Sequence, residues 1–242
     1  MAMSKPAILF IHGFPFDHAM WRHQVVALSR WRCLAPDVRT GQRDSVASYA
    51  RDLIALLDES GVDAVVVCGL SMGGYISFEL LRQVPARVRA VILCNTKAAP
   101  DTPEGKRWRD VLAEKARALG AGAVAEELIP KVLARVTREQ RTDVVREVRE
   151  MIERQAVAGI VGTLHALRDR PDSTELLGGI RVPVLVIAGD DDQITPALGM
   201  QEMARAIPGA RFELIPNAGH LTPLEQPALV NSRLNEFLEM LG

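Results

Sequence analysis

Residues 62–81 read VDAVVVCGLSMGGYISFELL, and the fold follows from how this stretch is divided. Val62 to Cys68 is β-branched and almost free of polar side chains, which suits a strand buried on both faces. Gly69-Leu70-Ser71-Met72-Gly73-Gly74 follows without a break, and helical spacing resumes through Tyr75, Phe78 and Leu81. Strand, sharp turn and helix in this order match a nucleophile elbow, the G-x-S-x-G device that exposes a serine hydroxyl on a strained backbone. Ser71 would be the apex, with Gly69 and Gly73 keeping side chains out of the gap between strand and helix. The bare pattern is weak. The strand before it and the amphipathic helix after it make it specific.

Working outward, the same kind of apolar run recurs. Ala7 to Ile11 (AILFI), Arg32 to Pro36 (RCLAP), Val88 to Cys94 (VRAVILC), Val182 to Ala188 (VPVLVIA) and Arg211 to Ile215 (RFELI) are short enough for strands. Helical spacing lies between them over about 20–29 and 45–59, and an amphipathic helix over about 226–241 closes the chain. Buried strands alternating with helices predict an α/β fold with a mostly parallel, doubly wound sheet. Between Asn95 and Gly179 the strand signal vanishes and only helical periodicity remains, interrupted at Gly120-Ala121-Gly122 and Pro171-Asp172-Ser173. This predicts a core made of residues 1–95 and 180–242 with a helical cap inserted over 96–179.

A serine hydroxyl needs a general base within hydrogen-bond reach. Of the five histidines, His220 lies in the turn-rich segment Asn217-Ala-Gly-His-Leu-Thr-Pro223, between the last strand and the last helix. Loops at the carboxyl ends of parallel strands line the ligand crevice of such sheets. His18 and His23 fall in or near the first helix, and His165 falls in the insertion. The third member should be a carboxylate after a strand between Ser71 and His220. Gly189-Asp190-Asp191-Asp192-Gln-Ile-Thr-Pro196 follows VPVLVIA and offers three candidates; the position after VRAVILC holds Asn95, which carries no charge to stabilise an imidazolium. The aspartate cluster lacks the alternating ligands and glycine of a calcium loop, so no metal is expected. His12-Gly13-Phe14-Pro15 ends the first strand, where backbone N–H groups of Phe14 and Met72 would form an oxyanion hole.

Composition narrows the partners. A net charge of -1 gives no reason to expect nucleic acid, and the arginines between Lys106 and Arg154 are interleaved with glutamates, as on solvated helix faces. No run approaches the roughly 18 apolar residues of a membrane span, and Met1 to Pro6 shows no signal-peptide core. Cys33, Cys68 and Cys94 are isolated thiols in apolar runs, as expected of a reducing, cytoplasmic compartment.

FIHGFPFDHAMW, LAPDVR, CGLSMGGYISFELL, VPVLVIAGDDDQITP and NAGHLTPLEQP together resemble the α/β-hydrolase fold family, in its small esterase, enol-lactonase and cofactor-free haloperoxidase-like branch. The resemblance spans nearly the whole chain. It implies that the acid of the G-x-x-D-x-x-x-P segment is Asp192, that Ser71 is the nucleophile and His220 the base, and that no cofactor takes part. Two departures stand out. Only six residues precede AILFI, so the sheet should lack about two strands at that edge, and Asp37-Val-Arg-Thr-Gly-Gln-Arg-Asp-Ser45 departs from the family's D-x-R-G-H-G-x-S. The expected substrates are carboxylic esters of small to medium apolar acyl groups, with lactones, enol-lactones or slow-turnover small-molecule binding as alternatives. Val111, Leu112, Leu119, Leu128, Ile129 and Leu133 are candidate apolar lining of the cap or its attachment to the core, and Trp108 and His165 are read as packing or surface, with pocket lining as the alternative.

Overall fold

The computed structural model describes residues 7–38 and 45–241. The unusual part of the loop after Asp37, residues 39–44, lies outside them, as do Met1 to Pro6. Among the described residues the sheet has six strands, all parallel, in the order β2-β1-β3-β4-β5-β6. They are β1 (Ala7–Ile11), β2 (Cys33–Leu34), β3 (Val65–Leu70), β4 (Val88–Cys94), β5 (Val184–Gly189) and β6 (Arg211–Ile215).

Strand alternation sorts the core into two layers. Ile8, Phe10, Val66, Cys68, Ile92 and Ile187 face one side, and Leu9, Ile11, Val65, Val67, Val91 and Val186 the other. The first layer is covered by α1 (Arg22–Ala27), the C-terminal α11 (Pro227–Glu239) and helices of the insertion. The second is covered by α2 (Val46–Glu59), α3 (Met72–Gln83) and α9 (Ala197–Arg205). A sheet clad on both faces explains why its strands read as continuous apolar runs.

Three local differences from the sequence prediction have physical causes. Helix α9 covers a segment of weak periodicity in which Met200, Met203 and Ala204 are buried; the parallel pairing of β5 with β6 demands such a crossover. Strand β2 shrinks to Cys33–Leu34, because among the described residues it pairs on one side only, through Ile8↔Cys33 and Leu9↔Leu34. Strand β3 starts three residues late and runs on through Gly69 and Leu70, carrying the sheet to the foot of Ser71.

Between β4 and β5 lie α4 (Pro103–Val132), α5 (Arg135–Gln140), α6 (Thr142–Glu153), α7 (Val157–Arg168) and the short α8 (Thr174–Leu177). At Gly120, with φ 80° and ψ −179°, the helical backbone is interrupted as expected, and two helices meet across a kink within α4, a conformation open to glycine. Leu112, Leu128, Ile129 and Leu133 are buried in the main core, whereas Val111 and Leu119 are 66% and 68% exposed. The last two are therefore corrected from candidate lining to the outer face of α4. Trp108 packs beneath the Lys131 ammonium, 5.2 Å from its ring centre. The insertion's charges pair on its surface, as in Arg107–Glu104, Lys131–Glu127 and Arg149–Glu126. No described helix is long and apolar enough to cross a membrane. The thiols of Cys33, Cys68 and Cys94 are all free, and burial pushes that of Cys68 far up.

At its first turn helix α3 comes so close to β1 and to the end of β3 that positions 69 and 73 have no room for a side chain. A Cβ on Gly73 would stand 2.2 Å from the Ile11 carbonyl oxygen, and one on Gly69 would stand 2.3 Å from that of Gly73. Backbone cannot retreat as a side-chain tip can. Gly73→Ala should therefore destabilise by about 3 kcal/mol, lowering Tm by roughly 6–12 °C. Calorimetry checks this, and an unchanged Tm would contradict the packing.

Candidate active site

At the carboxyl end of β3 the chain turns through Ser71, whose backbone sits at φ 55°, ψ −111°. A non-glycine residue holds that conformation only where its surroundings over-determine it. Here they do. The Ser71 N–H donates to the Cys94 carbonyl at 3.0 Å, the N–H of Gly74 donates to the Ser71 carbonyl at 2.9 Å, and the Thr96 hydroxyl donates to that same carbonyl at 2.8 Å. Both partners from outside the elbow come from the end of β4, so the serine is pinned by the neighbouring strand.

The loops after β5 and β6 bring Asp192 and His220 together, with His220 Nδ1 2.8 Å from Asp192 Oδ2. Both side chains are almost wholly buried. Oδ2 also accepts from Thr195 Oγ1 at 2.7 Å and Asn95 Nδ2 at 2.8 Å, while Oδ1 accepts from the N–H groups of Ile194 at 2.8 Å and Thr195 at 3.0 Å. Three of these five partners, the two backbone N–H groups and the Asn95 amide, cannot accept in return, so the ionised carboxylate is the better satisfied form. Burial alone would raise its pKa; the His220 ring and the Thr195 donors overcome this and hold it at about 2. An ionised Asp192 places the neutral imidazole's proton on Nδ1 and leaves Nε2 as an acceptor.

The other two aspartates turn elsewhere. Asp190 Oδ1 accepts from the Ala218 N–H at 3.3 Å, and Asp191 Oδ2 from the Arg135 N–H at 2.7 Å. Asp190 and Asp192 thus bond the loop after β6, at Ala218 and His220, and Asp191 bonds the insertion. Among the described residues the group with metal-ligand spacing is Asp17, His18 and Asp37. There His18 Nδ1 is 2.7 Å from Asp37, and Asp17 is taken by Arg154 and by the Ala19 N–H.

Phe14 and Met72 line one narrow crevice, together with Gln155 and Ile160 of the insertion. The loop carrying Phe14 is fixed by His12, which is buried. Its Nε2 accepts from the Val38 N–H at 2.8 Å, so its Nδ1–H donates to the Gly13 carbonyl at 2.9 Å. Burial lowers its pKa, keeping the ring neutral, as an accepting Nε2 requires.

Asn95 had a role that residue type alone did not reveal. It is unsuited to be the acid, yet it is fully buried and its amide donates to both Asp192 Oδ2 and the Gly219 carbonyl (3.1 Å). Its own carbonyl accepts from Thr222 Oγ1 at 2.7 Å, which fixes the amide orientation. Thr195, Thr222 and Glu225 likewise escaped notice. Their only signal was position, within a few residues of Asp192 or His220.

Residues 6–227 match the model of the alpha/beta hydrolase fold, and the chain belongs to this family. A carboxylesterase of Bacillus subtilis, YbfK, is 30% identical over 256 aligned residues, which cover 96% of this chain and 80% of that one. The structure of a thermophilic esterase from Thermogutta terrifontis superposes with a TM-score of 0.94 at 37% identity, over 98% of this chain and 90% of that one. The enol-lactonase from Burkholderia xenovorans gives 0.90 at 29% identity, over 98% and 92%. This chain is thus a hydrolase of the alpha/beta fold, related to esterases and enol-lactonases.

The depressed Asp192 carboxyl makes a stability prediction. Folded, it titrates at about 2 against an ordinary 3.8, so the unfolded chain binds the proton more readily. Its stabilising contribution is complete above the unfolded value and is lost as pH falls through the folded one. The stability gap between wild type and Asp192→Asn should therefore shrink by about 2 kcal/mol between pH 5 and pH 2. Urea unfolding across that range measures it, and a gap independent of pH would refute the ionised assignment.

Proposed function

We propose that this chain hydrolyses carboxylic esters of small to medium apolar acyl groups, with Ser71 as nucleophile, His220 as base and Asp192 as acid. The observation that carries the reading is the buried, five-donor Asp192 carboxylate holding His220 Nδ1, which leaves Nε2 as the proton acceptor that a serine hydroxyl needs. The strained backbone of Ser71 at the end of β3 supports the nucleophile. The named relatives, a carboxylesterase and an esterase, support the reaction class.

The chemistry proceeds in two halves. Ser71 Oγ attacks the ester carbonyl as His220 Nε2 takes its proton, and the carbonyl electron pair becomes an oxyanion facing the N–H groups of Phe14 and Met72. The intermediate expels the alcohol, which receives the proton from His220, and an acyl-enzyme remains. Water then repeats the sequence, with His220 taking its proton and returning one to Ser71 as the acid leaves. Asp192 remains ionised throughout, orienting the ring and balancing its transient charge.

Residues 96–179 act in this reading as a cap that restricts the acyl group and excludes water. A lactonase acting on a carboxylate-bearing ring would want a free cationic side chain over the site. Arg154, which reaches from the insertion to Asp17 of the core, and Arg170, which pairs with Asp101 within the insertion, are instead already partnered. This favours simple apolar esters.

Ser71→Ala should lower turnover of p-nitrophenyl butyrate by on the order of 10⁴- to 10⁶-fold without unfolding the chain; retention of a tenth of the rate ends the nucleophile assignment. Asp192→Asn should cost about 10⁴-fold in kcat, and Asp190→Asn or Asp191→Asn far less. Along a p-nitrophenyl series from acetate to palmitate, kcat/KM should peak at short or medium chains. A maximum at laurate or beyond would mean an open site, and a preference for a carboxylate-bearing lactone over every ester would favour lactonase chemistry.

A further inference from the structure

The loop that presents His220 is held from the insertion as well as from the sheet. Glu225 belongs to the single turn α10 (Thr222–Glu225) and is 1% exposed. Its Oε1 accepts the N–H groups of Gly219 at 2.9 Å and Leu221 at 3.2 Å, the residues on either side of His220. Its Oε2 accepts the N–H of Ala134 at 2.8 Å and the hydroxyl of Thr137 at 2.7 Å, both in the insertion. Between these two clamps the N–H of His220 itself donates to the Val132 carbonyl at 2.9 Å. Three successive backbone N–H groups, those of Gly219, His220 and Leu221, are therefore set by Glu225 and Val132.

A buried carboxylate is costly unless every lone pair is used, and here each oxygen takes two donors. Three of the four donors are backbone N–H groups that cannot accept in return. Burial pushes the Glu225 carboxyl above its ordinary range while the four donors oppose that shift, and no neutral side chain of the same length can match their pattern. A glutamine would keep one oxygen for two donors but would turn its own N–H against the N–H of the other pair. An aspartate would keep the charge but fall one methylene short of spanning both segments.

Resting on the serine-hydrolase reading above, we propose that Glu225 is a positioning residue for His220, locking the approach of its ring toward Ser71 to the placement of segment 132–137 of the insertion. Displacement of that segment then displaces the base, which joins the cap to proton transfer as well as to substrate fit. A misplacement of about 1 Å at a reacting group can cost on the order of 100-fold in rate.

The test uses the full chain with Glu225→Gln, and Glu225→Asp where the amide variant fails to fold. Both are assayed on p-nitrophenyl butyrate well below their melting temperatures. The expected result is a kcat lowered roughly 10- to 100-fold with KM within about threefold of wild type. The downfield proton resonance of His220 Nδ1–H, assigned by its loss in His220→Ala, should shift or broaden in the same variants. A part that only stabilises the fold would lower Tm and leave both readouts in place, so a folded variant with kcat within threefold of wild type overturns the proposal. Ser71→Ala separates the two levels. If Ser71→Ala stays active, the hydrolase reading falls and the positioning role for catalysis falls with it. If Ser71→Ala is inactive and Glu225→Gln turns over normally, only the role of Glu225 is overturned.

Discussion

The chain must leave β3 and enter α3 at a single residue, Ser71, with no side chain at the close approaches on either side of it, positions 69 and 73. That constraint organises the rest of the molecule. It requires glycine at 69 and 73, where any Cβ would overlap backbone, and it holds Ser71 at a φ that serine ordinarily avoids. The strain is sustained because β4 lies alongside: its last carbonyl takes the Ser71 N–H, and Thr96, just beyond it, donates to the Ser71 carbonyl. The neighbouring strand thus supports the turn as much as the strand that carries it.

From that point a continuous set of hydrogen bonds crosses the carboxyl edge of the sheet. Thr96 bonds Ser71, its neighbour Asn95 bonds Asp192 and the Gly219 carbonyl, and Asp192 bonds His220. Three loops, after β4, β5 and β6, are thereby registered against one another. In a parallel sheet all these strand ends point the same way, which is why one edge can gather residues distant in sequence. The stability of the arrangement comes from satisfaction rather than charge alone, since every lone pair of a buried carboxylate that is used lowers the cost of burying it.

The insertion is part of this edge and not merely a cover. Asp191 takes the Arg135 N–H, Val132 takes the His220 N–H, and Glu225 spans Ala134, Thr137 and the histidine loop. The loops after β5 and β6 therefore meet the same short segment after α4. Under the proposed hydrolase reading, displacement of that segment would be felt at both Asp192 and His220.

Several features were legible in the residues themselves. The buried strands, the elbow at Ser71 and the helical insertion follow from local pattern, because strand burial and glycine at close approaches leave direct marks on composition. The choice among Asp190, Asp191 and Asp192 was not local: it depends on which carboxylate points at His220, and hydrogen bonds from Thr195 and Asn95 decide that orientation. Asn95 shows the limit most clearly. Its residue type excluded it as the acid, and only the folded chain, by bringing residues 95, 192, 219 and 222 together, made its amide a support for the Asp192 carboxylate. The same holds for Val111 and Leu119, apolar by type yet exposed. Local pattern alone sets the layers and the glycine-flanked turn at Ser71, since each rests on periodicity or backbone clearance. Which side chains meet, as Asp192 and His220 do, depends on folding, since hydrogen bonding rests on distances that no spacing along the chain contains.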